Sequence, residues 1–381
     1  MIDLTVHPAT RESNARHAAR SGFRLPTFAQ MIEPASVPAA TREVLGRTGL
    51  WDLDPANLFR VTWRNEPKAS GGGFGGVNFL EIPREITGVK PRIVGLCGKW
   101  FPTGAHKVGA TTGCIAPRLV TGQFDARKQK AVWPSTGNYC RGGAYISSLL
   151  GCESIAILPE EMSRERFEWL RKVAGEVIAT PGCESNVKEI YDKCWELRRE
   201  RGDDILVFNQ FDEFGNYLWH HEVTGRAAQS AYEALDGGRS RLAAFVSSTG
   251  SAGTIAAGDY LKKLHPHMKI VAGEALQCPT LLNNGFGGHR IEGIGDKHVP
   301  WIHNVRNTDA VAAIDDEMTI RVMRLFNEPA GRELLLRKGA PASVVERLDW
   351  LGISCIGNLL GAINLDHAAL LRAGISPSVS E

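Results

Sequence analysis

From residue 91 onward, short apolar runs alternate with longer amphipathic stretches, regularly enough to assign elements. "RIVGLCGKW" predicts a strand, with a helix starting near Lys107. "KAVWP" predicts a strand followed by a helix through "GGAYISSLLG". "ESIAILP" predicts a strand, then a helix through "SRERFEWLRKVAG" with Ser163 as N-cap, and "EVIATPG" a strand, then a helix through "SNVKEIYDKCWELRRERG". After "ILVFNQF" a helix is expected around 219–235, followed by the strand "LAAFVSS", a helix through "IAAGDYLKKL" and the strand "KIVAGEA". Such alternation predicts βαβ units and parallel sheet. Residues 1–90 lack the pattern and read as an irregular, partly helical lead-in.

The lead-in contains "SGGGFGG", in which Gly71, Gly73 and Gly76 match G-x-G-x-x-G. A dinucleotide site needs a strand before that motif and a helix after it. The chain continues instead with the extended "VNFLEIP", and no acidic residue follows at the proper distance, so the match reads as a loop.

Composition narrows the classes. At 381 residues, two domains are expected. A net charge of +2 with scattered basic residues offers no nucleic-acid or membrane footprint. The first twenty residues contain no apolar h-region, and a cytoplasmic location is expected. The eight cysteines (97, 114, 140, 152, 183, 194, 278, 355) form no C-x-x-C pair, which predicts reduced thiols, most of them in the core. No metal site is expected: His220–His221 and His265/His267 lack a cysteine or carboxylate in ligand register.

Three strand-to-helix junctions, where open α/β sheets bind ligands, carry unusual residues. In "FPTGAHKVGA" Lys107 stands behind Gly104 and His106, where the chain turns. "PSTGNYCRGG" (134–143) gathers two hydroxyls, a glycine and an amide where a helix begins, so that N–H groups can converge on an anion. "SSTGSAGT" (247–254) combines small residues with the hydroxyls of Ser251 and Thr254, a composition suited to a phosphate.

An inward lysine, a phosphate cradle and a separate carboxylate loop together resemble the pyridoxal-phosphate enzymes of fold type II. These include cysteine synthase, cystathionine β-synthase, the tryptophan synthase β chain and the threonine/serine dehydratases. "TGAHKVG" is most similar to the tryptophan synthase β lysine loop, and "PSTGNY" to the family's Ser/Thr-x-Gly-Asn loop. "ILPEEMSRERFEWLRKVAGEVIATPG", "VFNQFDEFGN", "HRIEGIGDKHVP" and "GISCIGN" fall where cysteine synthases have their counterparts. The resemblance runs from about residue 90 to 365 and implies two three-layer αβα domains, with twisted, mostly parallel sheets and the cofactor in the cleft between them. The expected division is an extension over 1–75, a smaller α/β domain over 90–205 with the lysine and the carboxylate loop, and a larger α/β domain over 206–381. Part of 40–90 joins the larger domain, which carries the phosphate loop.

The resemblance also implies roles. Lys107 would bind pyridoxal 5′-phosphate as a Schiff base and move the α-proton, and its inward amine needs a depressed pKa. Asn138 would bond the cofactor's 3′ oxygen, while Ser135, Thr136, Gly137 and Tyr139 would frame the substrate carboxylate. Gly250, Ser251, Ala252, Gly253 and Thr254 would hold the phosphate, and Ser354 would face the pyridine nitrogen. A hydroxyl there gives a weaker electron sink than a carboxylate, favouring expulsion of a β-substituent over transamination. Asp296, beside Lys297 in "GIGDKH", would face the second-substrate side.

Departures from the family bear on the substrate. Ser251 and Ala252 stand where the phosphate loop is usually glycine or threonine rich, and "YCRGG" follows the asparagine where cysteine synthases carry a small hydroxyl residue. Residues 332–350 read as an insertion before Ser354. No cysteine precedes Cys97, so the N-terminal haem site of some cystathionine β-synthases is absent. The implied activity is β-elimination or β-replacement on a β-substituted small L-amino acid through an α-aminoacrylate, in a homodimer. The alternatives are an ammonia-lyase of the serine/threonine or diaminopropionate dehydratase type and a non-catalytic binding protein on the same fold.

Overall fold

A computed structural model of the chain describes residues 2–67, 72–135, 137–182 and 186–367; Thr136 and Cys183 lie outside them. Its strands are β1 (Phe79–Ile82), β2 (Ile93–Leu96), β3 (Lys130–Pro134), β4 (Ser154–Pro159), β5 (Glu176–Thr180), β6 (Ile205–Val207), β7 (Ala244–Ser248), β8 (Lys269–Ala275) and β9 (Ala310–Ile314). The chain separates into two compact units. One comprises Met1–Gly76, Trp100–Val223 and Pro300–Ile302, the other Val77–Lys99, Thr224–Val299 and His303–Glu381.

In the first unit all strand pairs are parallel, in the order β5-β4-β3-β6. Ile155 and Val207 flank Val132 in register. Every residue of β4 is buried, the mark of a central strand covered on both faces. The helix Val187–Arg201 lays Ile190, Cys194 and Leu197, at i, i+4 and i+7, onto Val132, Ile155, Ile157, Ile205 and Val207. The chain steps outward from β3 to β5 and returns to the other side of β3 for β6, so the winding reverses between β3 and β6. In open α/β sheets the ligand crevice lies outside the carboxyl ends of strands at such a reversal.

The lysine helix, Lys107–Thr121, runs beside the short helix Phe214–Trp219 at unusually close range. A Cβ at Gly109 would meet the Trp219 ring at 2.1 Å, and one at Gly113 would meet the Gly215 carbonyl at 2.3 Å. Pro117 has no N–H to give the Gly113 carbonyl, and that carbonyl lies 2.1 Å from where a Gly215 Cβ would stand. The far end of the lysine helix is held by the helix Pro8–Ser21. Buried Asn14 donates from Nδ2 to the Leu119 and Phe124 carbonyls (3.0 and 2.7 Å) and accepts the Ala126 N–H (3.1 Å).

In the second unit β7, β8 and β9 form a parallel sheet, and β1 and β2 pair antiparallel with Leu80 opposite Gly95. The run "RIVGLCGKW" is therefore a short hairpin partner of "FLEI", where a longer strand feeding the lysine helix was expected. Leu80 and Ile82 share a core with Phe326, Leu335, Val345, Leu348, Ile356 and Leu359. Residues 332–350, read as an insertion, thus supply core through the helices Pro329–Arg337 and Ala342–Val345 and the turn Leu348–Trp350. The helix expected around 219–235 is three pieces: Phe214–Trp219, a π-helical turn His220–Thr224, and Gly225–Asp236. Ser163 does precede the helix Arg164–Val173, without a side-chain cap bond. The described cysteines are free thiols, all but Cys355 buried. Among the described residues no helix is long and apolar enough to cross a membrane.

Candidate functional site

The winding reversal places two loops side by side in the first unit. Where β3 ends, the Ser135 N–H continues the ladder to the Ile157 carbonyl (3.0 Å), while its hydroxyl accepts the Gly137 N–H (3.1 Å). That bond turns the chain into the helix Asn138–Leu149, whose first N–H groups have no intrahelical acceptors and leave positive potential suited to an anion. Thr136 lies outside the described residues. Beyond β6, Gln210 is buried, held by Asn216, whose Nδ2 donates to the Gln210 carbonyl at 3.0 Å.

Lys107 joins these loops. Thr103 (φ 62°) and Gly104 (φ 70°) take left-handed conformations in succession, which turns the chain so that the helix opens on Lys107 itself. Its Nζ donates to Gln210 Oε1 at 2.9 Å. A protonated lysine has only donors, so against it Gln210 presents its oxygen; its Nε2 is then free to donate to Ser135 Oγ at 3.4 Å. Desolvation pulls the half-buried amine down to about 8. Beside it, burial and the lysine's charge lower His106 to about 3, so this imidazole is neutral near pH 7. Its ring stacks on Trp63 at 5.8 Å and meets His220 edge-on at 5.2 Å. His220 is pushed well below its ordinary value, first by burial and then by its two neighbours. Gln210 was missed in the sequence because only the strand order reveals that the loop after β6 adjoins the one after β3.

Tyr139 departs from its expected role. Its ring is buried edge-on against Trp133 at 5.5 Å, and its hydroxyl donates to the Phe208 carbonyl at 3.2 Å. The side chain belongs to the core because position 139 falls on the inner face of the helix. What this position can offer a carboxylate is its backbone.

The second unit brings its own predicted residues together. After β7, Thr249 donates both its N–H (2.7 Å) and its hydroxyl (3.0 Å) to the Gly273 carbonyl. Gly250 to Thr254 follow, with Ala252 left-handed at φ 59° and the turn Gly253–Ile255 leading into the helix Ala256–Leu264. A left-handed alanine persists only where its surroundings enforce it, and alternating backbone hands turn successive N–H groups toward one point. Ser247 donates to the Thr254 hydroxyl at 2.7 Å.

Ser354 lies in the first turn of the helix Ile353–His367, tied to β7 through Ser248. The Ser248 N–H donates to Asn358 Oδ1 at 2.5 Å, and its hydroxyl lies 2.6 Å from that oxygen and 3.3 Å from the Ser354 carbonyl. Asn358 was also missed in the sequence, since its partner lies 110 residues away. The Gly295 N–H donates to the Thr249 carbonyl at 2.9 Å, which brings Asp296 beside the same loop. Asp296 is buried, its Oδ1 accepting the Lys297 N–H at 2.6 Å, while the Lys297 ammonium sits over the Phe286 ring at 4.1 Å. A side-chain pairing of Asp296 with Lys297 is not what organises this loop.

Taken separately, each unit carries groups that suit a part of pyridoxal phosphate: the first an amine of lowered pKa, the second a left-handed turn with N–H groups and hydroxyls. Comparison with known proteins gives the same chemistry. The family described as Pyridoxal-phosphate dependent enzyme matches residues 93–335. The chain is 29% identical to cysteine synthase of Staphylococcus aureus over 201 residues, 52% of this chain and 62% of that protein. It is 26% identical to cystathionine beta-synthase of Saccharomyces cerevisiae over 251 residues, 64% of this chain and 49% of the yeast protein. The match thus spans less than two thirds of either relative. Among solved structures, a hydrogen sulfide-producing enzyme of Fusobacterium nucleatum superposes with a TM-score of 0.64 at 23% identity, covering 78% of this chain and 82% of that one, which shows a shared fold.

Proposed function

This chain belongs to the pyridoxal-phosphate dependent enzymes, and on that premise we propose that it removes the β-substituent of a small L-amino acid and adds a nucleophile in its place. The observation that carries the proposal is the Lys107 amine, brought to about 8 and aimed by Gln210 at the loop beginning with Ser135. Lys107 would hold the cofactor's aldehyde carbon, Asn138 its 3′ oxygen, Gly250 to Thr254 its phosphate, and Ser354 would face its ring nitrogen. When bound, pyridoxal phosphate supplies an electron sink for the bonds at Cα. The protein's own contribution is to orient and to move protons. The N–H groups at the start of Asn138–Leu149, with Ser135 Oγ, would fix the substrate carboxylate. Once displaced from the cofactor, the Lys107 amine can take the α-proton, since an amine near 8 is partly neutral at working pH. Neutral His106 leaves the proton on lysine, because a base at about 3 cannot compete for it.

The lysine-bearing and phosphate-bearing parts would be the smaller and larger domains, and we place the enzyme in the cytoplasm as a homodimer, the latter checked by light scattering. The main test is borohydride reduction with pyridoxal phosphate followed by peptide mass analysis, which should locate the adduct on Lys107 and lose it in Lys107→Ala. In parallel, O-acetyl-L-serine is supplied with and without a thiol and the products are identified. A thioether or cysteine product supports replacement. Pyruvate and ammonia at equal rates with or without thiol would make the enzyme an ammonia-lyase, and no adduct at all would end the reading.

A further inference from the structure

Residues 72–75 of the glycine-rich stretch, which the function leaves unused, line a cavity of about 310 Å³ within the first unit. That volume lies at the lower end of small-molecule sites. None of the residues around it is among those assigned to the cofactor or the substrate. The glycine wall is one arm of a hairpin: Asn65 pairs antiparallel with Phe74, the Glu66 N–H donates to the Gly73 carbonyl at 2.9 Å, and the Gly75 N–H donates to the Arg64 carbonyl at 2.8 Å. Another wall is the helix Ala39–Arg47, which offers Arg42 and Leu45, at i and i+3, to the cavity. Arg60, 3% exposed, fastens these walls to each other. Its Nη2 donates to the Leu45 carbonyl at 2.6 Å and to the carbonyl of left-handed Gly72 at 2.7 Å. The cavity is thus framed by a ladder and by bonds from a charged donor.

The charges at this cavity come in both signs. The Glu66 carboxylate lies across the glycine arm: a Cβ at Gly75 would stand 2.7 Å from its Oε1, and one at Gly73 would stand 3.5 Å from its Oε2. Bare backbone at Gly75 is what leaves the carboxylate its room. Among the described residues, neither the Glu66 carboxylate nor the Arg42 guanidinium has a hydrogen bond or ion pair, with the other or with any third group. Glu33, the remaining charge, already faces a cation, its Oε2 4.0 Å from Arg64 Nη2. Pro34, Leu45 and Phe74 add apolar wall, the last two within a core that includes Val37 and Phe59. An unpaired anion and an unpaired cation beside apolar surface complement a molecule carrying an ammonium, a carboxylate and a hydrocarbon side chain. We infer that the cavity binds a free α-amino acid with an apolar side chain, at a place separate from Lys107. Its ammonium meets Glu66, its carboxylate meets Arg42, and its side chain lies against Pro34, Leu45 and Phe74. An amine or an acid alone would leave one of the two charges unanswered.

The test is calorimetry on holoenzyme reduced with borohydride, in which the cofactor stays bonded to Lys107 and no amino acid can replace the lysine. Glycine, L-alanine, L-valine, L-leucine and L-methionine are titrated in turn. L-leucine is then compared with L-leucinamide, which lacks the carboxylate, and with 4-methylpentanoate, which lacks the ammonium. The apolar amino acids should bind at one site per chain, and L-leucine should exceed glycine and both analogues by roughly tenfold or more. Arg42→Gln should bring L-leucine level with L-leucinamide, and Glu66→Gln should bring it level with 4-methylpentanoate. Gly75→Ala should weaken L-leucine as Glu66→Gln does, because the added methyl displaces the carboxylate. No saturable binding of any of the five overturns the inference, as does an analogue that binds as tightly as L-leucine. Binding that survives unchanged in both Arg42→Gln and Glu66→Gln puts the ligand elsewhere and overturns it too. Because the wild-type comparison needs no variant, it decides even if a variant fails to fold. The assay needs no turnover either, so its outcome stands apart from that of the proposed function.

Discussion

The loops around Lys107 in the first unit and around Ala252 in the second both gather polar groups at the end of a strand, but they are shaped by different forces. Around Lys107 the backbone is placed by packing: missing side chains at Gly109, Gly113 and Gly142 let helix and indole surfaces close to within 2.1–3.2 Å of their Cβ positions. Around Ala252 it is placed by a left-handed turn, by bonds from the Thr249 and Ser248 hydroxyls to carbonyls, and by the bond from the Ser247 hydroxyl to that of Thr254. A site formed by packing should fail when an atom is added. A site formed by hydrogen bonds should fail when a partner is removed, and should tolerate changes of side-chain volume better.

The largest effect expected from that contrast is Gly113→Ala, which drives a carbon into a backbone carbonyl that has no flexible end to yield. A loss of about 3 kcal/mol, seen as a lower urea midpoint at unchanged slope, is expected. An unchanged midpoint would mean that the two helices slide apart freely and that the packing account is wrong. In the second unit, Asn358→Ala leaves the Ser248 N–H without its acceptor and should cost about 1–3 kcal/mol. Its effect should reach the loop Gly250 to Thr254, proposed to hold the phosphate, and be visible as weaker retention of pyridoxal phosphate; wild-type retention would disconnect Asn358 from that loop.

Titration sharpens the first half of the comparison. With Lys107 lowered to about 8, cofactor-free protein should capture pyridoxal phosphate at a rate that climbs with pH around a midpoint near 8. Unfolded chain holds that proton up to about 10.4. Between the two values the unfolded state binds more protons, so stability should rise with pH, whereas below about 8 both states are protonated and the cost of burying the charge is present in full. A capture midpoint near 10 would mean that the amine is fully solvated. The smallest effect is Ala252→Gly, where relief of a left-handed alanine and the lost methyl burial and chain stiffness nearly cancel; the midpoint should move by about 1 kcal/mol or less. Ala252→Val should do worse, since a β-branched residue resists that conformation.

How much of this could be read in the sequence depends on the range of the interaction. Strands β3 to β8 announce themselves by short apolar runs beside amphipathic helices, and the helix start at Lys107 follows from local turn chemistry. Strand β9, "AVAAI", escaped notice because small residues carry little strand preference and their burial is set by neighbours far along the chain. "RIVGLCGKW" was assigned the right element with the wrong partner, since an apolar run does not state whether its neighbour is parallel. Lys107 was legible as an inward amine because its loop is local, while Gln210 and Asn358 act across 103 and 110 residues and leave no local mark. Tyr139 shows the converse: its place in a recognisable loop was legible, but the direction of its ring depends on helix phase relative to Trp133.

Asn14 gives the molecule a timing constraint. Its three bonds reach 105, 110 and 112 residues ahead, to the end of the lysine helix and the turn beyond it. On a ribosome adding about 5–20 residues per second, Ala126 is made roughly 6–22 s after Asn14. For that interval the helix Pro8–Ser21 has nothing to clasp, and whatever shields its inner face from other nascent chains must be temporary. The clasp therefore closes only after synthesis has passed Lys107, so that a helix made before the lysine helix settles after it.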